Sequence, residues 1–311
     1  MKGKLGMKWV KIILALSFCF GFSAHADNVF VSTGNGNSIW RFDSNGNGSV
    51  FATATSGLNY PYGLAFDSSG NLYVANSGGG LQGNSDIEEF SPTGTGTVFA
   101  TSGLSVPLAL AFDGSGNLFV GNAGNNTIEE FGTNGVGSVF ATAASGINIP
   151  QGLAFDGSGN LFVGNAGNNT IEEFGTNGVG SVFASSNVRN PRGLAFDSSG
   201  NLYLANEGNS TIVKFNPNGS GSIFTSTNLV SFPFGLAFDS AGNLYVANGS
   251  GGGDVLKFDS NGIGSVFASD VDNPVGIAIE VPESSSLLLL GLGLSALALS
   301  HTCRRRSQSR E

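Results

Sequence analysis

The 311-residue chain holds 49 Gly and 25 Phe but only 2 His and 2 Cys, and 11% of it is charged. Residues 27–280 carry 20 Asp and Glu against 5 Lys and Arg, a net of −15 that phosphate backbones would repel, which argues against nucleic acid as a partner. His25, Cys19, His301 and Cys303 all fall outside that stretch, so its chemistry excludes Ser-His-Asp and Cys-His catalysis, zinc sites built on His or Cys, and disulfides.

In chain order, the first segment is an address. Lys2, Lys4, Lys8 and Lys11 precede the apolar run from Ile12 to Phe22, which ends at Ala24-His25-Ala26. A basic stretch, a short apolar core and an A-x-A site predict a secretory signal over residues 1–26, cut after Ala26.

Residues 27–280 are one unit repeated six times. Gly63-Leu64-Ala65-Phe66-Asp67 returns at Gly152–Asp156, Gly193–Asp197 and Gly235–Asp239, with looser copies ending at Asp113 and Glu280. The acidic ends fall at 67, 113, 156, 197, 239 and 280, a period of 41 to 46, and residues 111–141 and 154–184 are identical. Each unit holds four short runs rich in β-branched and aromatic residues, bounded by Gly, Asn and Ser. They read as strands joined by positive-φ turns. Four strands at this period predict an all-β, six-bladed β-propeller with four antiparallel strands per blade. The first unit lacks its opening strand and the last is only that strand, Gly276 to Glu280, so the C-terminal strand is expected to complete the N-terminal blade and close the ring. No helix is expected in the body.

The phrases GLAFDSSGNLYVAN (63–76) and GLAFDSAGNLYVAN (235–248) resemble NHL-repeat propellers and the neighbouring gluconolactonase/regucalcin-like group. That resemblance covers the whole body and implies a binding propeller or, in the second group, a hydrolase whose divalent metal is held by Glu, Asn and Asp from separate blades. No matching set carries over, so no catalytic residue is assigned. NHL repeats usually carry Asp where this chain has Asn76, Asn122, Asn165, Asn206 and Asn248.

The remaining segment, 281–311, is a second address. Val281-Pro282-Glu283-Ser284 precedes an apolar stretch, Leu287 to Leu299, and then Arg304-Arg305-Arg306. A short membrane helix is expected at about 285–300, its arginines on the cytoplasmic side. This order resembles the PEP-CTERM sorting signal of Gram-negative bacteria, with Pro282 and Glu283 as its motif and Ser284 where the family has a second Pro. The resemblance implies an exosortase-type sorting enzyme as a partner and delivery to the envelope, the cell surface or exopolysaccharide, with the membrane held through the helix before processing.

Within the body the slot after each opening Pro differs most between copies: Tyr62, Leu108, Gln151, Arg192, Phe234 and Val275. In a propeller this slot faces the mouth of the central channel, where Tyr62, Gln151, Arg192 and Phe234 offer rings and donors to a polar ligand. Asn76, Asn122, Asn165, Asn206 and Asn248 are expected as a ring of amides at the same mouth, or as turn caps bonding their own backbone. No cofactor follows from the residues. Ca2+ is the one that oxygen donors leave open, with Glu207 and Glu280 as the candidate carboxylates. In the third strand, adjacent acids such as Glu88 and Glu89 point to opposite faces. The second position of that pair is acidic in three blades (Glu89, Glu130, Glu173) and basic in three (Lys214, Lys257, Arg41).

The expectation is therefore an exported, envelope-sorted, non-catalytic binding module for a glycan or protein partner. A metal-dependent lactonase-type hydrolase and a structural matrix component are the alternatives.

Overall fold

The computed structural model describes residues 27–79, 85–225, 228–249 and 253–280. The signal segment with Ala26 and the tail with Pro282, Glu283 and its apolar stretch lie outside the described residues. Within them the chain forms six four-stranded antiparallel sheets. Helical structure among the described residues is limited to three-residue 3-10 turns such as Ala143–Ser145.

Blade 4 shows the plan. Its inner strand Pro150–Phe155 pairs with Leu161–Asn165, which pairs with Thr170–Phe174, which pairs with the outer strand Gly180–Ala184. The turn from first to second strand is built on Asp156, whose carboxylate accepts the backbone N–H groups of Ser158 and Asn160 at 2.8 Å. The same Asp-centred turn stands at Asp67, Asp113, Asp197 and Asp239. The segment Asp43–Asn47 closes likewise between third and fourth strands, where the Asp43 carboxylate accepts from Asn45 and Asn47.

In blades 2 to 6 the second strand is buried end to end because both of its faces meet neighbouring blades, hence its unbroken character, Leu-Tyr-Val-Ala-Asn in blades 2 and 6. The apolar residues form six clusters, each shared by adjacent blades. At the seam between blades 4 and 5, Phe162 of the second strand meets Phe183 of its own outer strand and Phe196 of the next inner strand edge-on, at 4.9 and 5.0 Å between centroids. The group recurs as Phe30/Phe51/Phe66, Tyr73/Phe99/Phe112, Phe119/Phe140/Phe155 and Tyr203/Phe224/Phe238. Edge-to-face packing at this separation adds to what burial alone supplies. The glycine opening each outer strand is required by a close approach: a Cβ on Gly96 would stand 2.7 Å from the Phe90 ring, and Gly137 stands likewise against Phe131.

The ring closes as the sequence predicts. Pro274–Glu280 pairs antiparallel with Asn28–Thr33 and supplies the inner strand of blade 1, with Asn28 donating to the Glu280 carboxylate at 2.7 Å. Val275, Ile277 and Ile279 of this strand are buried. At about 1.5–3 kcal/mol each, they contribute an amount comparable with a domain's whole stability of roughly 5–15 kcal/mol. A chain ending at Asn273 is therefore expected to lose its cooperative thermal transition, measured by circular dichroism, whereas one ending at Glu280 keeps it.

Candidate functional site

Inner strands begin at a proline, and the residue before it sits at one end of the propeller. In all six blades that residue is in the left-handed region: Tyr60 (φ 51°), Val106 (49°), Ile149 (51°), Asn190 (46°), Phe232 (52°) and Asn273 (49°). For β-branched and aromatic residues this conformation is strained, by roughly 1–3 kcal/mol each. It persists because the backbone on either side is pinned. The Tyr60, Ile149 and Asn190 N–H groups donate to Asn37, Asn126 and Asn169 of the preceding blade at 2.6–2.7 Å, and the Phe232 N–H donates to Ser210 Oγ at 3.2 Å. The carbonyls of Tyr60, Val106, Ile149 and Phe232 accept from Ser77, Ala123, Ala166 and Gly249 of their own blades. Three of the side chains are turned out to solvent, Tyr60 and Ile149 at 39% and Phe232 at 53% exposed, while Val106, Asn190 and Asn273 are half-buried.

Two residues further on, Tyr62, Leu108, Gln151, Arg192, Phe234 and Val275 come together around the channel mouth, the place expected from the sequence. The cavity there is only about 80 Å³, room for a few waters and well short of the roughly 300 Å³ at which small-ligand pockets begin. Two of its polar members, Gln151 and Arg192, are already joined. The Arg192 guanidinium donates to Glu207 at 3.0 and 3.1 Å and to the Gln151 side-chain oxygen, and it lies 4.9 Å from the Phe234 ring centroid.

The five asparagines are placed differently from the expected ligand-facing ring. All are buried at 0–1% exposure. Asn165 Oδ1 accepts the Asn148 N–H at 3.0 Å, and its Nδ2 donates to the Gly146 carbonyl and to Thr170 Oγ1. Asn76, Asn122, Asn206 and Asn248 clamp the entering loop of their own blades in the same way. These buried amides tie the backbone of the entering loop to the second strand, so they are structural pins. The bonded partners lie 17 and 19 residues upstream, beyond the tight turn considered from the sequence.

The two candidate calcium carboxylates are not brought together. Glu207 lies at the mouth, engaged by Arg192 and Asn190. Glu280 ends the inner strand of blade 1 at the opposite face, beside Asn28 and 3.9 Å from Arg41. These residues do not fit a calcium site. No group of three His, Cys, Asp or Glu suited to a metal occurs among the described residues.

The pre-proline ring was missed in the sequence, where only its variability showed: Tyr, Val, Ile, Asn, Phe and Asn precede the six prolines, a column nearly as variable as the one after them. Neighbouring glutamates on the third strands do face opposite ways. Glu88, Glu129 and Glu172 are buried beneath the loop that enters each blade, where Gly57, Gly103 and Gly146 leave room for them.

The comparisons agree with this architecture. An NHL-repeat family profile matches residues 188–215, from the entering loop through the third strand of blade 5. The chain is a six-bladed propeller that carries an NHL repeat. Among solved structures, the nidogen/laminin complex is similar over 83% of this chain and 100% of that one, with a TM-score of 0.72 at 20% identity. Virginiamycin B lyase from Staphylococcus aureus is similar over 81% and 84%, with a TM-score of 0.62 at 15% identity. A catalytically inactive histidine-to-alanine variant of that lyase, with quinupristin, matches at 0.62 and 13% identity over 84% and 94%. These likenesses are of fold. No curated protein matches the chain.

Burial drives the carboxyls of Glu88, Glu129 and Glu172 above their usual range, with Asp86 adding repulsion at Glu88 and the Thr170 hydroxyl opposing at Glu172. A folded-state pKa above the unfolded one means that the ionised form costs stability, and that cost is lifted as pH falls through the folded value. Glu88→Gln/Glu129→Gln/Glu172→Gln is therefore expected to raise the thermal midpoint at pH 8, with the gain shrinking towards pH 4. The separate substitution Asn165→Ala, which strands a buried N–H and a buried carbonyl, should cost about 2–4 kcal/mol in chemical denaturation.

Proposed function

We propose that this chain is an exported, non-catalytic binding module that recognises a protein partner with the mouth face of its propeller. The observation that carries the reading is the pre-proline ring: bulky residues held in a strained conformation that projects them from a rigid frame. Backbone strain maintained in four of the six blades, with the side chains of Tyr60, Ile149 and Phe232 exposed as its outcome, is the arrangement of a presenting surface. The filled channel behind it favours recognition of a surface over enclosure of a small molecule. One of the structures similar to this chain is that of a complex, nidogen with laminin. The reading of residues 1–26 as a secretory signal and of 281–311 as a PEP-CTERM-like sorting tail supports an envelope or cell-surface setting in a Gram-negative bacterium, with an exosortase-type enzyme acting on Pro282-Glu283. A cell-surface glycan is the second partner class, read by the rings of Tyr60, Tyr62, Phe232 and Phe234. The lyase chemistry of the other similar structures has less support, since residues 27–280 contain no histidine.

Asn190 and Asn273 show that the left-handed slot accepts asparagine, which suits that conformation better than Tyr, Ile or Phe. The full chain with Tyr60→Asn/Ile149→Asn/Phe232→Asn should therefore be as stable as wild type or more so, by up to about 1 kcal/mol per site. It should lose the proteins that the wild type retains from an envelope fraction. Unchanged retention would remove the mouth face from the reading, and competition by purified surface polysaccharide would transfer it to a glycan. The thermal midpoint should be equal in millimolar Ca2+ and in EDTA. A calcium-dependent rise of roughly 5–11 °C, the effect of a ligand at 100 times its Kd, would restore the metal-dependent hydrolase.

A further inference from the structure

The propeller's opposite face repeats a second feature. At each seam the second-strand ring lies across the sheet from the variable third-strand residue. Tyr203 pairs with Lys214, Tyr245 with Lys257 and Phe30 with Arg41, whereas Phe119 pairs with Glu130 and Phe162 with Glu173. In blade 5 the Lys214 ammonium lies 5.0 Å from the Tyr203 ring centroid and 3.3 Å from the Asp197 carboxylate. In blade 6 Lys257 stands 4.8 Å from Tyr245 and 3.4 Å from Asp239. Those blades therefore contain a complete cation seat, an aromatic face and a carboxylate, filled by the chain's own lysine.

Blades 3 and 4 keep the seat and replace the cation with a second acid. Asp156 and Glu173 are drawn together by one amide, Asn160 Nδ2, which donates to them at 3.0 and 3.2 Å. They line a cavity of about 310 Å³ at the seam of blades 4 and 5, with Phe162, Phe183 and Phe196 as its aromatic wall. Blade 3 carries the same residues as Asp113, Glu130, Phe119 and Phe140 in the duplicated segment. Blade 2 differs, because its ring is Tyr73, which pairs across the sheet with Glu89 and brings a hydroxyl to that side of the seat. Phe119 and Phe162 bring none.

We infer that the seams below blades 3 and 4 are receptor sites for an alkylammonium group, either a free amine or the side chain of a basic partner. The reasoning rests on charge and geometry. A ring face is the negative end of its quadrupole, and two carboxylates at its edge complete a seat that a cation satisfies. The sister blades show where the nitrogen sits. A bare divalent ion is the poorer fit, since carbon rings supply no ligand oxygens. The sites lie on the face away from the mouth, so they stand or fall independently of the proposed partner surface.

The test uses the full chain with tetramethylammonium as the probe, followed by saturation-transfer NMR and calorimetry against matched sodium chloride. Saturable binding is expected. Glu130→Lys/Glu173→Lys, which installs the residue that blades 5 and 6 already carry, should fold and weaken binding at least tenfold. Should that variant fail to fold, Glu130→Gln/Glu173→Gln should weaken binding several-fold. Absence of saturable binding up to tens of millimolar, or binding that survives these substitutions, overturns the inference, as does tighter competitive binding by Ca2+ alone. Capped lysine binding more tightly than tetramethylammonium would identify a lysine of a basic partner as the source. The reverse order would identify a free quaternary amine.

Discussion

Edge-on contact of aromatic rings across each seam is the interaction on which the rest of this molecule depends. A four-stranded blade is too thin to enclose a core of its own, so its apolar faces are buried only by the next blade. The rings of one blade's second and outer strands and of the next blade's inner strand make that contact directional, fixing both separation and tilt. The glycines facing Phe90 and Phe131 allow the third-strand rings to lie against the backbone of the outer strand. With the seams fixed, the loops at either end carry little structural duty beyond their own hydrogen bonds. Both surface features described above are built on those ends.

The architecture was legible because each strand type leaves its own phrase. The GLAFD, NLYVAN, IEEF and SVFAT runs each occur six times, and an opening strand missing at one end reappears at the other. The channel-lining residues were legible for the same reason, since a fixed offset from a proline in a repeated strand fixes a position in space. The asparagines were less so. An amide that ends a strand has the same chemistry whether it meets a ligand or a neighbouring carbonyl, and only the path of the upstream loop decides. The left-handed pre-proline residues were hidden for a different reason. Val, Ile, Phe and Tyr carry no local preference for positive φ, and at Tyr60, Ile149 and Phe232 the backbone is held by N–H bonds to Asn37, Asn126 and Ser210 of the preceding blade. The Lys/Glu exchange on the third strand was visible as a polarity of the ring. That it empties an aromatic seat could be seen only with the rings in place.

Comparison within the chain separates what the fold needs from what it tolerates. Asn190 and Asn273 occupy comfortably a slot in which Tyr60, Val106, Ile149 and Phe232 are strained. Lys214 and Lys257 neutralise a position that Glu130 and Glu173 charge further. In both cases the same frame accommodates a locally favourable and a locally unfavourable residue. Unfavourable choices retained beside favourable ones are where local consistency has yielded to another requirement. They coincide with the mouth rim and the seam cavity.

Ring closure by the last strand also sets an order of events. Asn28 and Glu280 are 252 residues apart in the chain yet joined by one hydrogen bond. Blades 2 to 6 are each complete within a contiguous stretch of about 40 residues and can pair locally as they are made. Blade 1 is the first to be synthesised and the last that can be finished. Until its inner strand arrives, Asn28–Thr33 presents an unpaired edge of buried-type residues, Val29, Phe30 and Val31, to whatever is nearby. The nascent propeller is thus most exposed to wrong pairing along Asn28–Thr33, until the strand Pro274–Glu280 has been made.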